Sequence, residues 1–339
     1  MKTIVLQEPG ELRMTDMPFP DSPGPAEVKV RVRRIGICGT DMHAFRGRQP
    51  FFSYPRILGH ELGVTVIEVG EGVEHVKPGD DCAVWPYLTC GECVTCRANR
   101  ENCCTTLKVM GVQADGCMRE EVLMPARLLF PSTKLSVEQM ALVETLGIGC
   151  HAVNRGRITA DDTVLVVGAG PIGMGTIQFA QATGARVLVM DINDHRLGFC
   201  RDRLGVSETI DAKTEPLKQL ERLTDGGLAT CVFDATGHAP SMGACIGYCG
   251  AGGRIVFVSL VLDDVAIEDP EFHRKELTVF ASRNSRSEEF SQIVGMIEAG
   301  KIDTTPWISH RSSFDDMIGQ FESWLDPASC VTKTVVSLD

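Results

Sequence analysis

The chain has 339 residues and carries a net charge of −12. A chain this acidic is poorly suited to binding nucleic acid through phosphate contacts. No segment approaches the roughly 18 apolar residues that a membrane span needs, and the start, MKTIVLQEPGEL, predicts a first strand rather than a signal peptide. We therefore expect a cytoplasmic protein of about two domains that acts on a small molecule, not on nucleic acid or a membrane.

Two early motifs carry residues that bind metals. GICGTDMH contains Cys38, and LGHELG contains His60 and Glu61. Farther on, VETLGIGCHAV contains Glu144. A thiolate, an imidazole and a carboxylate from Glu61 or Glu144, with water in the fourth position, would form an open, catalytic zinc site. Each residue alone has a plainer interpretation, since a single buried cysteine or histidine is more often a core residue.

The segment HAFRGRQPFFSYPRILGHE, which leads into the second motif, contains three arginines and the adjacent pair Phe51 and Phe52. A substrate carboxylate would pair well with an arginine. Arg48, Phe51 and Arg56 are therefore candidate substrate contacts. The plainer interpretation is that the arginines are solvated and the phenylalanines belong to the core.

The segment CGECVTCRANRENCC holds five cysteines. In a cytosolic chain this density favours thiols and metal over disulfides. Four thiolates from Cys90, Cys93, Cys96 and Cys104 can surround a tetrahedral zinc ion, and a closed four-sulfur site would be structural. Cys103 is left unligated. The alternatives are an iron–sulfur cluster or free buried cysteines.

The segment DTVLVVGAGPIGMGTIQFAQATGARVLVMD predicts a strand, a glycine turn, a helix and a second strand that ends in an acid. Gly168, Gly170 and Gly173 match the GxGxxG pattern of dinucleotide-binding folds. The cofactor phosphates would lie at the helix N-terminus. Asp191 can accept hydrogen bonds from the adenosine ribose and would repel a 2′-phosphate, which favours NAD over NADP.

Taken together, these motifs resemble the zinc-containing medium-chain dehydrogenase/reductase family, which includes alcohol, polyol and threonine dehydrogenases. The resemblance covers essentially the whole chain. It implies an α/β protein with a GroES-like, mostly-β catalytic domain at 1–145 and 286–339. A Rossmann domain with a doubly wound parallel sheet is expected at 146–285, where apolar strand-like segments alternate with helical patterns. Relatives in this family are homodimers or homotetramers.

The resemblance also assigns roles. The family residues that match Cys38, His60 and Glu61 hold or flank the catalytic zinc, and the one that matches Glu144 lies beside the metal in the polyol and threonine branch. We expect two zinc ions per chain, one catalytic and one structural. Four more residues are expected at the cofactor, namely Ile172, Arg196, Val258 and Ser282.

Two positions depart from the family pattern. Val64 stands where the family usually has a glycine, and Gly63 precedes it. Thr145 stands where the family usually has a proline. Both departures bear on the local backbone more than on the ligand set.

The implied reaction is the reversible oxidation of a secondary alcohol, with hydride transfer to nicotinamide. Zinc would lower the pKa of the substrate hydroxyl. Thr40 and His43 match positions that relay the proton through the cofactor ribose to solvent. Their plainer interpretations are a turn hydroxyl and an exposed helix residue.

The substrate is suggested by three segments, the one from His43 to Glu61, DPEFHRKE and ASRNS. They resemble the L-galactonate 5-dehydrogenases, bacterial enzymes that oxidise a sugar acid. We expect an aldonate substrate, with polyols of the sorbitol or xylitol type next and L-threonine third. The non-enzyme alternative is an NAD-binding zinc sensor.

Overall fold

The computed structural model describes residues 1–50 and 52–338. The chain divides into two compact units, Met1–Glu144 with Arg286–Asp339, and Thr145–Ser285. These are called the first and the second unit below. Their boundaries lie within one residue of those expected from the sequence. Phe51, a candidate substrate contact, lies outside the described residues.

The strands are short in the first half of the chain, except for two longer ones whose ends lie at or next to candidate metal ligands. In chain order they are β1 (Lys2–Glu8), β2 (Glu11–Asp16), β3 (Glu27–Ile37), β4 (Arg56–Ile57), β5 (Glu61–Val69), β6 (Asp81–Val84), β7 (Tyr87–Leu88), β8 (Lys108–Val109), β9 (Glu121–Pro125), β10 (Leu129–Pro131), β11 (Thr163–Val167), β12 (Arg186–Asp191), β13 (Glu208–Asp211), β14 (Ala229–Asp234), β15 (Cys249–Phe257), β16 (Thr278–Ala281), β17 (Ile308–Ser313) and β18 (Lys333–Ser337).

The longer helices alternate with the strands of the second unit. In chain order they are α1 (Gly39–Phe45), α2 (Val94–Arg97), α3 (Val137–Gly156), α4 (Pro171–Ala182), α5 (Asp194–Leu204), α6 (Pro216–Leu223), α7 (Ala239–Tyr248), α8 (Asp269–Arg274), α9 (Ser287–Glu298) and α10 (Met317–Phe321). Short 3₁₀ turns occupy Glu101–Cys103, Ala126–Leu128, Thr305–Trp307, Glu322–Leu325 and Pro327–Ser329. Within the described part of the chain, no helix is both long enough and apolar enough to cross a membrane.

The first unit is mostly β. Its main sheet has the order β10-β6-β5-β3-β18-β17, with β9 also paired to β3, and a smaller sheet has the order β2-β1-β4. Along β3, Val28, Val30 and Val32 are buried while the residues between them are more exposed. This period of two is what a strand with one face on the core requires. The sheet aligns the ends of β3 and β5, where the candidate metal ligands lie.

The second unit is a doubly wound α/β domain. Its six strands pair in parallel in the order β13-β12-β11-β14-β15-β16, which is the 3-2-1-4-5-6 order of dinucleotide-binding folds. β11 is buried over nearly its whole length, as a strand covered by helices on both faces should be. In such sheets ligands bind at the carboxyl ends of the strands, where the order reverses. Here that point lies between β11 and β14.

The two departures from the family pattern both fit their surroundings. Gly63 lies where β5 passes the first residue of α3, and a Cβ there would overlap the Val137 carbonyl oxygen. Val64 is fully buried in the same strand and lies opposite Val32. Thr145 lies inside α3, where a proline would remove a backbone donor from the helix. Gly63 is therefore needed for the close packing of β5 against the start of α3.

Replacing Gly63 with alanine should lower the free energy of unfolding by about 1–3 kcal/mol, because the strand or the helix must move to admit the methyl group. Gly295→Ala is the matched control, since a Cβ at that position in α9 meets nothing within 4 Å. The control should gain about 0.5–1 kcal/mol from the better helix propensity of alanine. Chemical denaturation of both variants tests this, and equal midpoints would contradict the packing assignment.

Candidate functional site

Cys38, His60 and Glu61 converge because two strands of the main sheet meet there. β3 pairs antiparallel with β5, and Gly36 lies opposite Glu61. The end of one strand therefore lies beside the start of the other. Cys38 follows β3 as the N-cap residue of α1, and His60 immediately precedes β5. The metal-binding atoms of the three residues all lie within 4.8 Å of one another.

A buried acid, Asp41, faces the imidazole. Its Oδ2 accepts a hydrogen bond from the Cys38 backbone N–H at 3.0 Å, and its Oδ1 lies 3.8 Å from Nδ1 of His60. Neither of the latter two atoms has a hydrogen-bond partner among the described residues. Metal-binding histidines commonly turn their second nitrogen toward a carboxylate in this way. This arrangement leaves Nε2 of His60 as the nitrogen for a metal ion.

The charges around His60 suit a cation. Burial alone would lower the pKa of His60, but the adjacent Cys38 thiolate and Asp41 carboxylate raise it well above its ordinary value. Burial raises the pKa of Asp41. The sequence interpretation missed Asp41, although an acid in the first turn of the helix that begins after Cys38 was a usable signal.

Glu61 forms a buried ion pair with Lys333, the first residue of β18. The lysine Nζ lies 2.7 Å and 2.8 Å from the two carboxylate oxygens, and both side chains are at most 3% exposed. Burial alone would lower the pKa of Lys333, but the charges of Glu61 and Cys38 raise it. Gly36 makes room, because a Cβ there would overlap the Glu61 carboxylate. The lysine neutralises the charge of the acid that the sequence placed at the metal.

Glu144 lies beside this group rather than within it. It is 5% exposed, and the Tyr87 hydroxyl donates a hydrogen bond to its Oε1 at 2.6 Å. Burial raises the pKa of Glu144, while the charge of His60 acts against that rise. The Glu144 carboxylate therefore interacts electrostatically with the His60 imidazole, and the Tyr87 hydroxyl holds it by a hydrogen bond.

The remaining sequence candidates of the first unit differ in how they are held. Thr40 is half-buried and His43 exposed, three residues apart in α1 and so on one face of it. Arg48 is exposed. Arg56 is already engaged, because its guanidinium donates to Asp115 at 3.0 Å. This ion pair weakens the case for Arg56 as a substrate contact.

The cysteine loop brings together the four residues expected from the spacing. The sulfur atoms of Cys90, Cys93, Cys96 and Cys104 lie within 4.8 Å of one another. The Cys90 sulfur is 3.5 Å from that of Cys104 and 4.0 Å from that of Cys96. Backbone N–H groups point at the sulfurs, as from Cys93 to Cys90 at 3.3 Å. Cys103 is exposed and lies outside the group.

The ionisation of these thiols shows a conflict that a cation would remove. The Thr95 hydroxyl, helped by backbone N–H groups, lowers the pKa of Cys93 to about 4. Burial and the neighbouring cysteines raise the pKa of Cys96 to about 12. All described cysteines are free thiols. Four converging sulfurs fit a closed zinc site, in which an ion would stabilise every thiolate.

The glycine turn of the second unit is shaped for a phosphate group. Gly168 has φ +97°, which favours glycine, and a Cβ there would lie 3.0 Å from the Ala235 backbone. A Cβ at Gly173 would overlap the Gly168 carbonyl oxygen. Gly170 is the N-cap residue of α4, which begins at Pro171. The free backbone N–H groups at the N-terminus of α4, with no side chains in the way, make a favourable anion site.

Asp191 ends the neighbouring strand and faces this turn. Its carboxylate accepts from the Ala169 backbone N–H at 2.6 Å and from the Asn193 N–H at 2.8 Å. Arg196, in the first turn of α5, places a guanidinium nitrogen 4.0 Å from where a Cβ on Gly170 would lie. The acid and the arginine therefore both border the glycine turn.

The other cofactor candidates lie around the same sheet edge. Ile172 is half-buried in the first turn of α4. Val258 follows β15 and donates its N–H to the Asp234 carbonyl at 2.9 Å, and Ser282 follows β16 and donates to the Phe257 carbonyl at 2.9 Å. The structure thus puts the cofactor residues expected from the sequence at the carboxyl ends of the parallel strands or in the helices that follow β11 and β12.

Comparison with known proteins identifies this arrangement. Residues 24–134 match the alcohol dehydrogenase GroES-like domain, and residues 171–299 match the zinc-binding dehydrogenase domain. L-galactonate-5-dehydrogenase of Escherichia coli (strain K12) is 38% identical over 323 residues, which are 95% of this chain and 94% of the relative. This chain belongs to the zinc-binding alcohol dehydrogenase family. It is an oxidoreductase of the medium-chain type.

Further relatives agree with that family. The 2-dehydro-3-deoxy-L-galactonate 5-dehydrogenase of Pseudoalteromonas atlantica is 34% identical over 302 residues, 88% of each chain. A short chain alcohol dehydrogenase (rspB) from E. coli CFT073, solved with NADH, has TM-score 0.91 and 31% identity over 100% of this chain and 99% of its own. A protein from Sinorhizobium meliloti 1021 solved with NADP has TM-score 0.90 and 28% identity over 99% of both chains. The expected fold, a GroES-like domain with a Rossmann domain, is confirmed.

In this dehydrogenase, breaking the Glu61–Lys333 pair should be costly. Lys333→Met should lower the free energy of unfolding by about 3–5 kcal/mol, because it leaves a carboxylate buried without its partner. Adding Glu61→Gln to that variant should restore much of the loss. Lys77→Met, which breaks an exposed pair with Asp80, should cost less than about 1 kcal/mol. Denaturant titration compares them, and equal losses for the two lysine variants would refute the assignment.

Proposed function

We propose that this chain is a zinc-dependent NAD oxidoreductase that oxidises a secondary alcohol of a sugar acid, an aldonate of the L-galactonate type. The observation that carries the proposal is the convergence of Cys38, His60 and Glu61 within 4.8 Å in a buried site. The substrate class is supported by two relatives named for L-galactonate and for its 2-dehydro-3-deoxy derivative.

Two zinc ions per chain are part of the proposal. The cysteine loop would hold a structural ion. Cys38 and His60 would hold the catalytic ion, with Glu144 as the acid on its open side, because Lys333 already neutralises Glu61. When bound there, zinc lowers the pKa of a coordinated hydroxyl and stabilises the negative charge on its oxygen.

The proton that the substrate loses needs a way out of a buried site. Thr40 lies two residues after Cys38 and is half-buried, while His43 is exposed in the same helix. A hydroxyl near the ligands and an imidazole at the surface, on one helix face, are the two ends of a short relay. Imidazole is the side chain best suited to proton transfer near neutral pH.

The substrate carboxylate is proposed to pair with Arg48. This arginine follows α1 and is exposed, whereas Arg56 is engaged by Asp115. A guanidinium can hold a carboxylate through two parallel hydrogen bonds. A polyol dehydrogenase is the second candidate, favoured by the position of Glu144 beside the metal-ligand group, and it would need no such arginine.

Substrate class is tested by NADH formation with zinc-loaded protein on aldonates, polyols and L-threonine. L-galactonate or a related aldonate should give the highest kcat/KM. Arg48→Met should raise the KM for the aldonate about 10- to 100-fold, the loss of a hydrogen bond to a charged group, and leave polyol KM values unchanged. Arg13→Met, at an exposed position in β2, is the control. A polyol or threonine ranking first would refute the sugar-acid proposal.

NAD is proposed over NADP because the Asp191 carboxylate borders the glycine turn, where it would repel a 2′-phosphate. Arg196 is the opposing feature, since its positive charge lies near the same turn. The acid is buried and held by two backbone N–H groups, while the arginine is exposed, so the acid should dominate.

Asp191→Ser should raise the ratio of kcat/KM for NADP to that for NAD at least about tenfold, because the repulsion is removed. Asp194→Ser removes a nearby exposed acid that pairs with Lys213 and should leave the ratio unchanged. Steady-state kinetics with both dinucleotides gives the ratio. Preference of the unaltered protein for NADP would overturn the cofactor assignment.

A further inference from the structure

The cysteine loop is the connection of a short β-hairpin. β7 and β8 pair antiparallel, with Tyr87 opposite Val109 and Leu88 opposite Lys108. Cys90 follows β7 by two residues and Cys104 precedes β8 by four. All four sulfurs therefore lie between two strands of only two residues each. A hairpin this short has little stability of its own, so its geometry depends on what closes the loop.

Tyr87, the first residue of that hairpin, contacts the acid beside the other candidate metal site. It is 2% exposed, and its hydroxyl donates to Oε1 of Glu144 at 2.6 Å. Its ring meets Trp85 edge-on, with 5.4 Å between ring centroids. Burial, the ring contact and the hydrogen bond together restrict where the hydroxyl can lie.

The neighbouring backbone ties the base of the hairpin to the body of the first unit. The Trp85 N–H donates to the Leu128 carbonyl at 2.8 Å, and the Met110 N–H donates to the Pro86 carbonyl at 3.0 Å. The first bond anchors the residue two positions before β7 to the rest of the first unit, and the second extends the pairing of the hairpin beyond Tyr87 and Val109. Tyr87 therefore lies between this anchored end and the cysteine loop, three residues before Cys90.

We propose that Tyr87 is a positioning residue that couples the two metal sites of this chain. An ion in the cysteine loop fixes β7 against β8, β7 fixes the phenol, and the phenol orients the Glu144 carboxylate beside Cys38 and His60. The structural ion then raises the affinity of the catalytic site without touching it. This inference rests on the two-metal assignment of the proposed function.

The coupling has a defined size. Partners that orient the ligands of a metal site commonly change its affinity 10- to 100-fold. Tyr87→Phe deletes the hydroxyl and keeps the ring contact with Trp85. It should therefore weaken the mixed sulfur–nitrogen site by about that factor while leaving Co²⁺ binding by the cysteine loop unchanged. The unfolding temperature of the metal-free variant should fall, because the buried Glu144 carboxylate loses a donor. A merely structural role of the tyrosine would lower that temperature without a selective loss of affinity at the mixed site.

The test titrates Co²⁺ alone into metal-free full-length protein and follows its visible absorption, which differs between a four-sulfur site and a mixed site. The variants are Tyr87→Phe, Cys93→Ser and the double variant, with Tyr248→Phe as the control at a half-buried tyrosine outside both sites. Cys93→Ser should weaken the mixed site about 10-fold or more. In the double variant, the Co²⁺ affinity of the mixed site should be at most about twofold lower than in the single variant with the larger loss. Residues that act through the same contacts do not lose affinity additively.

The coupling would be refuted if Tyr87→Phe left the Co²⁺ affinity of the mixed site unchanged. It would also be refuted if the affinity loss of the double variant were the product of the two single losses, since the effects would then be independent. If Cys93→Ser does not fold, amide hydrogen exchange replaces it. Co²⁺ binding to the cysteine loop of the unaltered chain should then protect residues 85–89, and unchanged exchange there would refute the coupling. A single Co²⁺ per chain would overturn the two-metal assignment, and two ions with unlinked affinities would overturn the coupling alone.

Discussion

Buried negative charge at one end of the main sheet is the constraint on which the first unit depends. Asp41, Glu61 and Glu144 are each at most 5% exposed, and the Cys38 thiol lies among them. Lys333 offsets one of these charges through its ion pair with Glu61. Charge buried in excess of its partners is costly, and a divalent cation held by a thiolate and an imidazole compensates it. These residues therefore destabilise the fold without a metal and, under the proposed function, would be the ones that hold it.

The second unit meets a different demand, that of bringing a backbone close to an anionic dinucleotide. Its glycines allow this because they have no side chain, since a Cβ on Gly173 would overlap the Gly168 carbonyl oxygen of the glycine turn. Asp191 organises that turn through the Ala169 N–H. Under the proposed function, the same carboxylate would also favour NAD over NADP. The two units correspond to the two domains of the zinc-binding alcohol dehydrogenase family to which the chain belongs.

Much of this could be predicted because the decisive residues are close in sequence. The cysteine loop and the glycine turn are local, so spacing alone places their atoms together. The partners that tune the site could not be predicted, because Lys333 lies 272 residues from Glu61 and Tyr87 lies 57 residues from Glu144. Such pairs depend on which strands are neighbours and in what register, which a local pattern does not contain. The ion pair between Arg56 and Asp115 could not be predicted either, because these residues are 59 positions apart in the sequence.

Metal analysis of purified protein decides whether two separate clusters of this chain each hold a metal ion. About two zinc ions per chain are expected for the unaltered protein, about one for Cys38→Ser and about one for Cys93→Ser. In Cys38→Ser the remaining ion should lie in the four-sulfur loop, since that loop is separate from the altered residue. One ion in the unaltered protein, or no loss in Cys38→Ser, would refute the presence of two metal sites.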